Sequence, residues 1–136
     1  MSPRFYELHG VRILNAAEGP LLRSDRDAVD LMSEAMSHGI RFIVIPAERL
    51  SDDFFRLKTR IAGEVIQRFA MYRMRVAILG DISRHVAEST SLRDFVYESN
   101  RGNQCWFVAD LDEFSKRLER EKARGGDFGG GLNNAY

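Results

Sequence analysis

Phe42-Ile43-Val44-Ile45-Pro46 is the stretch that decides the fold, since four apolar residues in a row precede a proline. Strands that are covered on both faces have such continuous apolar runs, whereas half-exposed strands alternate between apolar and polar residues. Residues 75–79 and 105–108 have the same character. Segments with helical periodicity separate the three runs, and this alternation predicts an α/β domain with a mainly parallel sheet.

The connecting segments show apolar residues at the three- and four-residue spacing of amphipathic helices. A serine or aspartate stands at each expected start, where its side-chain oxygen can accept a free backbone N–H. Helices are predicted over residues 24–39, 51–71, 91–102 and 110–124. The segment 82–90 fits either a loop or a short helical turn.

The start of the chain has two short apolar-rich runs, residues 5–8 and 11–14, on either side of His9-Gly10. This pattern predicts an antiparallel β-hairpin, with Gly10 at a positive φ in its turn. The element order is then ββαβαβαβα, in one domain over residues 1–124. The glycine-rich residues 125–136 have too little apolar surface to offset the entropy of ordering, which predicts a flexible tail.

The segments that begin the second and third predicted helices resemble a known family. Residues 51–59 read Ser-Asp-Asp-Phe-Phe-Arg-Leu-Lys-Thr, and residues 91–102 read Ser-Leu-Arg-Asp-Phe-Val-Tyr-Glu-Ser-Asn-Arg-Gly. With residues 62–69 and 76–83, they resemble domain of unknown function family 4180, a bacterial family. The resemblance covers most of residues 5–120, and it implies no particular activity.

The element order is also similar to that of STAS domains, the anti-sigma-factor-antagonist fold. Ser51 stands where such domains carry a regulatory serine or threonine. Their phosphorylated segment reads Asp-Ser-Ser/Thr-Gly, whereas this chain reads Leu50-Ser51-Asp52-Asp53. Two neighbouring carboxylates would repel a phosphate on Ser51. The resemblance therefore implies a STAS-like fold rather than a phosphorylation switch.

Composition excludes several classes of protein. Twenty Lys and Arg balance twenty Asp and Glu in 136 residues, so the net charge is zero and a dedicated nucleic-acid binder is not expected. No apolar run approaches the roughly 20 residues that cross a bilayer. The first residues have no apolar signal core, which predicts a cytoplasmic protein. One cysteine excludes an internal disulfide, and Cys105 lies in a predicted buried strand, where an inert thiol is expected.

The first functional hypothesis is a regulatory or protein-interaction module with an unknown protein partner. Polar residues gather where the second helix is expected to start and along the third helix. The predicted contact residues are Ser51, Asp52, Asp53, Arg93, Glu98, Asn100 and Arg101. Each also has a structural interpretation, as a helix cap, a solvated helix face or a left-handed helix stop.

The second hypothesis is a small-molecule or divalent-metal site at the carboxyl edge of the sheet, with or without enzymatic activity. In open α/β sheets, ligands bind beyond the carboxyl ends of the strands, at a switch point in the strand order. The candidate residues there are Asp81, Ser83 and Asp110. Together with Asp52 and Asp53, the two aspartates would offer Mg²⁺ oxygen ligands. Each acid can instead be a turn or cap residue.

Absent motifs argue against catalysis. The sequence contains no glycine-rich phosphate loop, no nucleophile elbow and no His or Cys spacing of a metal site. No catalytic residue and no cofactor is assigned, and a binding module is favoured over an enzyme. Arg73, Arg75 and Arg84 flank the second buried strand, either as a small basic patch or as solvated side chains. A homodimer could form through the free edge of the first hairpin.

Overall fold

The computed structural model describes residues 3–128. Five strands form one sheet in the order β1-β2-β3-β4-β5. They are β1 (Phe5–Leu8), β2 (Val11–Asn15), β3 (Phe42–Pro46), β4 (Arg75–Leu79) and β5 (Cys105–Val108). β1 and β2 are antiparallel, and the remaining neighbours are parallel. The predicted mainly parallel sheet with an N-terminal hairpin is confirmed, and Gly10 has the expected positive φ, at 81°.

The described part of the chain also contains five α-helices. They are α1 (Asp25–Ser37), α2 (Ile61–Met71), α3 (Ser83–Ala87), α4 (Thr90–Arg101) and α5 (Leu111–Ala123). The order is ββαβαβααβα, with one helix more than predicted, because part of the ambiguous segment 82–90 forms α3. No helix within residues 3–128 has the length and apolar character needed to span a membrane.

The sheet is covered on both faces by two apolar clusters. Consecutive parallel strands are neighbours, so right-handed crossovers place α1, α2 and α4 on the same face. Ile43 and Ile45 pack in the cluster on that face. Phe42 and Val44 pack in the other cluster, where α5 contributes Phe114. Burial on both faces is the reason that the strands read as continuous apolar runs.

The predicted helix over residues 51–71 is wrong in its first half. Residues 47–59 form three short 3₁₀ turns, and α2 begins at Ile61 after Arg60, whose φ of 68° is left-handed. Phe54 and Leu57 keep a three-residue spacing that suits 3₁₀ turns as well as an α-helix. α2 is therefore only about 16 Å long, at about 1.5 Å per residue.

The predicted caps are confirmed at one helix and corrected at three. The Asp110 carboxylate caps α5 by accepting the backbone N–H of Glu113 at 2.9 Å. Ser89, rather than Ser91, caps α4, its Oγ accepting the backbone N–H of Leu92 at 3.1 Å, so the cap lies two residues earlier than predicted. Ser24 stands at the N-cap of α1 without a capping hydrogen bond to its side chain. Ser51, the predicted cap of the second helix, instead precedes a 3₁₀ turn and likewise makes no capping hydrogen bond.

Four residues that the sequence assigns to the tail are described, and they pack on the domain. The Gly126 N–H donates to the carbonyl of Glu121 at 3.0 Å. The Phe128 ring is 3% exposed and lies 5.6 Å from Trp106 and 5.9 Å from Phe42, between ring centroids. Residues 129–136 of the predicted tail lie outside the described residues.

Candidate functional site

An open cleft of about 700 Å³ lies at the carboxyl ends of β3 and β4. Residues within 21–23, 47–56 and 80–85 line it, and we call it the edge cleft. Among the strands of residues 3–128, the order contains no reversal, so the predicted switch point is not found in this part of the sheet. The cleft is formed instead by the 3₁₀ turns after β3, which stand beyond the strand ends.

Contacts from a distant part of the chain hold these turns in place. Leu22 and Leu50 form an isolated parallel bridge, in which the Ser51 N–H donates to the carbonyl of Leu22 at 3.2 Å. The buried guanidinium of Arg49 donates to the carbonyls of Ala16 at 3.0 Å and Pro20 at 2.6 Å. One wall of the edge cleft is therefore fixed by the segment that precedes α1.

The inner end of the edge cleft requires a glycine where β4 ends. Gly80 has a φ of 145°, and a Cβ there would lie 2.9 Å from the Cβ of Ala47. Both the backbone conformation and the close approach of the two strand ends exclude a side chain. β3 and β4 can therefore stay paired up to their last residues, beyond which both chain segments line the cleft.

Three guanidinium groups and four carboxylates line the edge cleft, and two of each are joined in ion pairs. Asp52 accepts from the Arg84 guanidinium at 3.2 Å, and Asp53 accepts from that of Arg56 at 2.7 Å. Within residues 3–128, the side chains of Arg23 and Glu48 have no ion pair or hydrogen bond. Among the described residues, the edge cleft therefore presents the Arg23 guanidinium and the Glu48 carboxylate without partners, beside the Asp81 carboxylate, which has a hydrogen bond but no ion pair.

His85 adds an aromatic and titratable group to this cleft. Its imidazole stacks on the buried ring of Phe55, with centroids 4.2 Å apart and planes 13° apart. Burial lowers the pKa of His85, and the nearby Arg84 lowers it further, against the smaller attraction of Asp52. The lowered pKa favours the neutral form of the ring, whose Nε2 lies 4.0 Å from Asp52 Oδ1.

The predicted ligand residues are only partly brought together. Asp81 lines the edge cleft, and its Oδ1 accepts the Ser83 N–H at 2.9 Å. Hydrogen bonds from the Ser83 side chain and backbone lower the pKa of Asp81. Asp110 caps α5 and does not line the cleft. No group of three potential metal ligands occurs within residues 3–128.

The seven predicted contact residues divide into two groups. Ser51, Asp52 and Asp53 line the edge cleft, where the Ser51 Oγ is buried and has no hydrogen-bond partner among the described residues. The others lie on α4: Arg93, Glu98, Asn100 and Arg101. Three of the α4 residues are exposed, whereas the amide of Asn100 bonds to the backbone of β5.

Five charged or titratable residues of the edge cleft were not among the predicted site residues. They are Arg23, Glu48, Arg56, Arg84 and His85. The sequence placed Arg56 on the outer face of a predicted helix that does not form. It placed Arg84 and His85 in the ambiguous segment 82–90. One signal was available: that segment directly follows a strand end, where loops of α/β sheets commonly carry functional residues.

The fold and the edge cleft define a class of protein, a single-sheet α/β domain with an open cleft at the carboxyl ends of its strands. A family model described as a domain of unknown function (DUF4180) matches residues 9–118. Most of the chain is covered, and the protein belongs to this family, which confirms the family resemblance of the sequence. No match was found among the curated proteins or among the solved structures. The resemblance to STAS domains stays a prediction.

Proposed function

We propose that this domain is a binding module for a small polar molecule, which it holds in the edge cleft. The observation that carries the proposal is the open cleft of about 700 Å³ into which Arg23 and Glu48 bring charges without partners. Ligand clefts in proteins generally measure about 300–1,000 Å³. A ligand that carries both an acidic group and a basic or hydrogen-bond-donating group would complement this pair.

The charge pattern favours such a molecule over a divalent cation. Asp52 and Asp53 are each already paired with an arginine, and Asp81 accepts from Ser83. A cation that gathered these carboxylates would compete with two arginines for them. A zwitterionic ligand instead leaves them intact and uses the two charges that lack partners.

The proposal is tested by thermal melts against amino acids, nucleotides and other small charged metabolites. A ligand at 100 times its Kd stabilises the folded state by about 2.7 kcal/mol, which raises the Tm of a domain of this size by several degrees. We expect one compound class to produce this shift. Arg23→Gln and Glu48→Gln should each reduce it.

Matched controls remove the same charges elsewhere. Arg26→Gln on α1 and Glu119→Gln on α5 change exposed residues outside the edge cleft and should leave the shift intact. An absence of any shift over the panel would contradict the proposal. A shift that both cleft variants retain in full would place the ligand elsewhere.

A second candidate function is that of a protein-interaction module, and one feature of α4 supports it. Tyr97 is 64% exposed, and the guanidinium of Arg101 lies 5.9 Å from its ring centroid, with Arg93 and Glu98 on the same helix. Tyrosine and arginine are enriched at protein interfaces. Tyr97→Ala and Arg101→Ala should weaken capture of a reproducible partner, whereas Arg120→Ala on α5 should not. Equal capture by all variants would contradict this function.

A further inference from the structure

Three arginines meet at the opposite edge of the sheet, where the parallel strands begin. Arg41 precedes β3, Arg73 lies between α2 and β4, and Arg75 is the first residue of β4. They line a groove of about 340 Å³, which we call the amino-edge groove. We propose that this groove binds the phosphate group of a small phosphorylated molecule, independently of the edge cleft.

The amino-edge groove carries an excess of positive charge. Arg41 and Arg73 are exposed, and their side chains make no hydrogen bond or ion pair within residues 3–128. One acidic residue, Asp127, lines the groove beside the three arginines. The arginines at positions 56 and 84 in the edge cleft are, by contrast, paired with aspartates. In a chain of zero net charge, this local excess favours an anionic ligand.

Arg75 is held in position by its surroundings. Its guanidinium donates to the carbonyls of Asn103 and Asp127, both at 2.9 Å, and its Cζ lies 4.9 Å from the centroid of the Phe128 ring. Burial lowers the pKa of Arg75, and the negative charge of Asp127 opposes this effect. The Arg75 N–H also donates to the carbonyl of Arg41 at 2.8 Å, which fixes the two backbones side by side. A guanidinium fork matches the geometry of phosphate oxygens.

Arg73 occupies a position that normally suits glycine. α2 ends in a Schellman motif, in which the Met74 N–H donates to the carbonyl of Phe69 at 2.8 Å, and Arg73 has a left-handed φ of 56°. α1 ends in the same motif with Gly39 at this place, at a φ of 69°. A left-handed conformation costs an arginine free energy that glycine does not lose. An arginine at this position is therefore present despite the preference of this backbone conformation for glycine, and its side chain brings a positive charge to the groove.

The experiment follows the backbone amide signals of the full chain by NMR while inorganic phosphate or pyrophosphate is added at constant ionic strength. We expect shifts concentrated at Arg41, Met74, Arg75 and Gln104. Chloride at the same ionic strength should give smaller shifts, because it carries a single charge and has no pair of oxygen atoms for a guanidinium fork, whereas sulfate, a tetrahedral dianion, should behave much as phosphate does. Equal shifts with chloride would overturn the proposal, since the groove would then attract any anion.

The Arg73→Gly variant distinguishes an effect on phosphate binding from an effect on folding. The variant should have a higher Tm than the original chain without ligand, since glycine relieves the left-handed backbone, and yet bind pyrophosphate at least tenfold more weakly. Arg41→Gln should also weaken binding, whereas Arg26→Gln, at the start of α1 and outside the groove, should not. Unchanged affinity in Arg73→Gly and Arg41→Gln, or no shifts with either probe, would overturn the proposal. These outcomes are separate from those at Arg23 and Glu48 in the edge cleft.

Discussion

The side-chain amide of Asn100 forms two hydrogen bonds with the backbone of Phe107, donating to its carbonyl at 3.2 Å and accepting its N–H at 2.7 Å. β5 is an edge strand, and its bonds to β4 use the carbonyls of Gln104 and Val108 instead. The backbone groups of Phe107 therefore point away from β4. One asparagine on α4 satisfies them as a further strand would, and this contact gives Asn100 a structural role.

Removal of this amide should destabilise the fold. In Asn100→Ala, the partly buried N–H and carbonyl of Phe107 lose their partner, which costs about 1–3 kcal/mol. Urea titration measures the difference in the free energy of unfolding. Asn103→Ala is the matched control, since the Asn103 side chain is exposed, and it should change little. Equal losses in the two variants would show that the amide contributes no stability.

The strands could be predicted from the sequence because each buried strand is a run of consecutive apolar residues. Phe42 and Ile43 face opposite apolar clusters and are both apolar. Few environments other than a strand buried on both faces require apolar residues at neighbouring positions. The segment before α2 could not be predicted in the same way. Its apolar spacing fits a helix and 3₁₀ turns equally, and the choice between them depends on the distant bridge between Leu22 and Leu50.

The candidate site was predicted only in part for the same reason. Asp52, Asp53 and Asp81 were found, because each follows a strand that the sequence shows clearly. Arg23 was missed because it approaches the edge cleft only through the tertiary pairing of its neighbour, Leu22. Local patterns reveal which residues follow a strand, but they do not reveal which distant segments close a cleft around them.

The stability of the protein should depend on pH through His85. Burial and then Arg84 lower the pKa of this imidazole below its ordinary value of 6.5, so the folded state binds a proton less readily than the unfolded chain. The resulting stability is fully present above pH 6.5 and is lost as the pH falls through the lower folded value. His85→Gln should therefore lose less stability than the original chain between pH 7.5 and pH 5.

Denaturant titrations at these two pH values measure that difference directly. The carboxylates that respond to acid are common to both proteins, so their contribution cancels in the comparison. A His85→Gln protein that loses as much stability on acidification as the original chain would contradict the assignment of this effect to His85.

Cys105 should be unreactive in the folded protein. The residue is 2% exposed in β5, and burial raises the pKa of its thiol to about 12. The thiolate is the form that attacks disulfide reagents, and both its population and its access are low here. An Ellman assay at pH 8 should detect almost no thiol in native protein and one thiol per chain in guanidinium chloride. Rapid modification of the native protein would show that β5 opens.

Phe128 should contribute to the stability of the domain although the sequence assigns it to the tail. Its ring is 3% exposed between Phe42 and Trp106, so Phe128→Ala removes a buried aromatic side chain and should cost about 3 kcal/mol. Phe5→Ala is the matched control, because that ring is 38% exposed, and its loss should be smaller. Urea titrations of the two variants decide where the folded domain ends. If Phe128→Ala costs no more than Phe5→Ala, residues 125–128 belong with the tail, and the boundary at residue 124 stands.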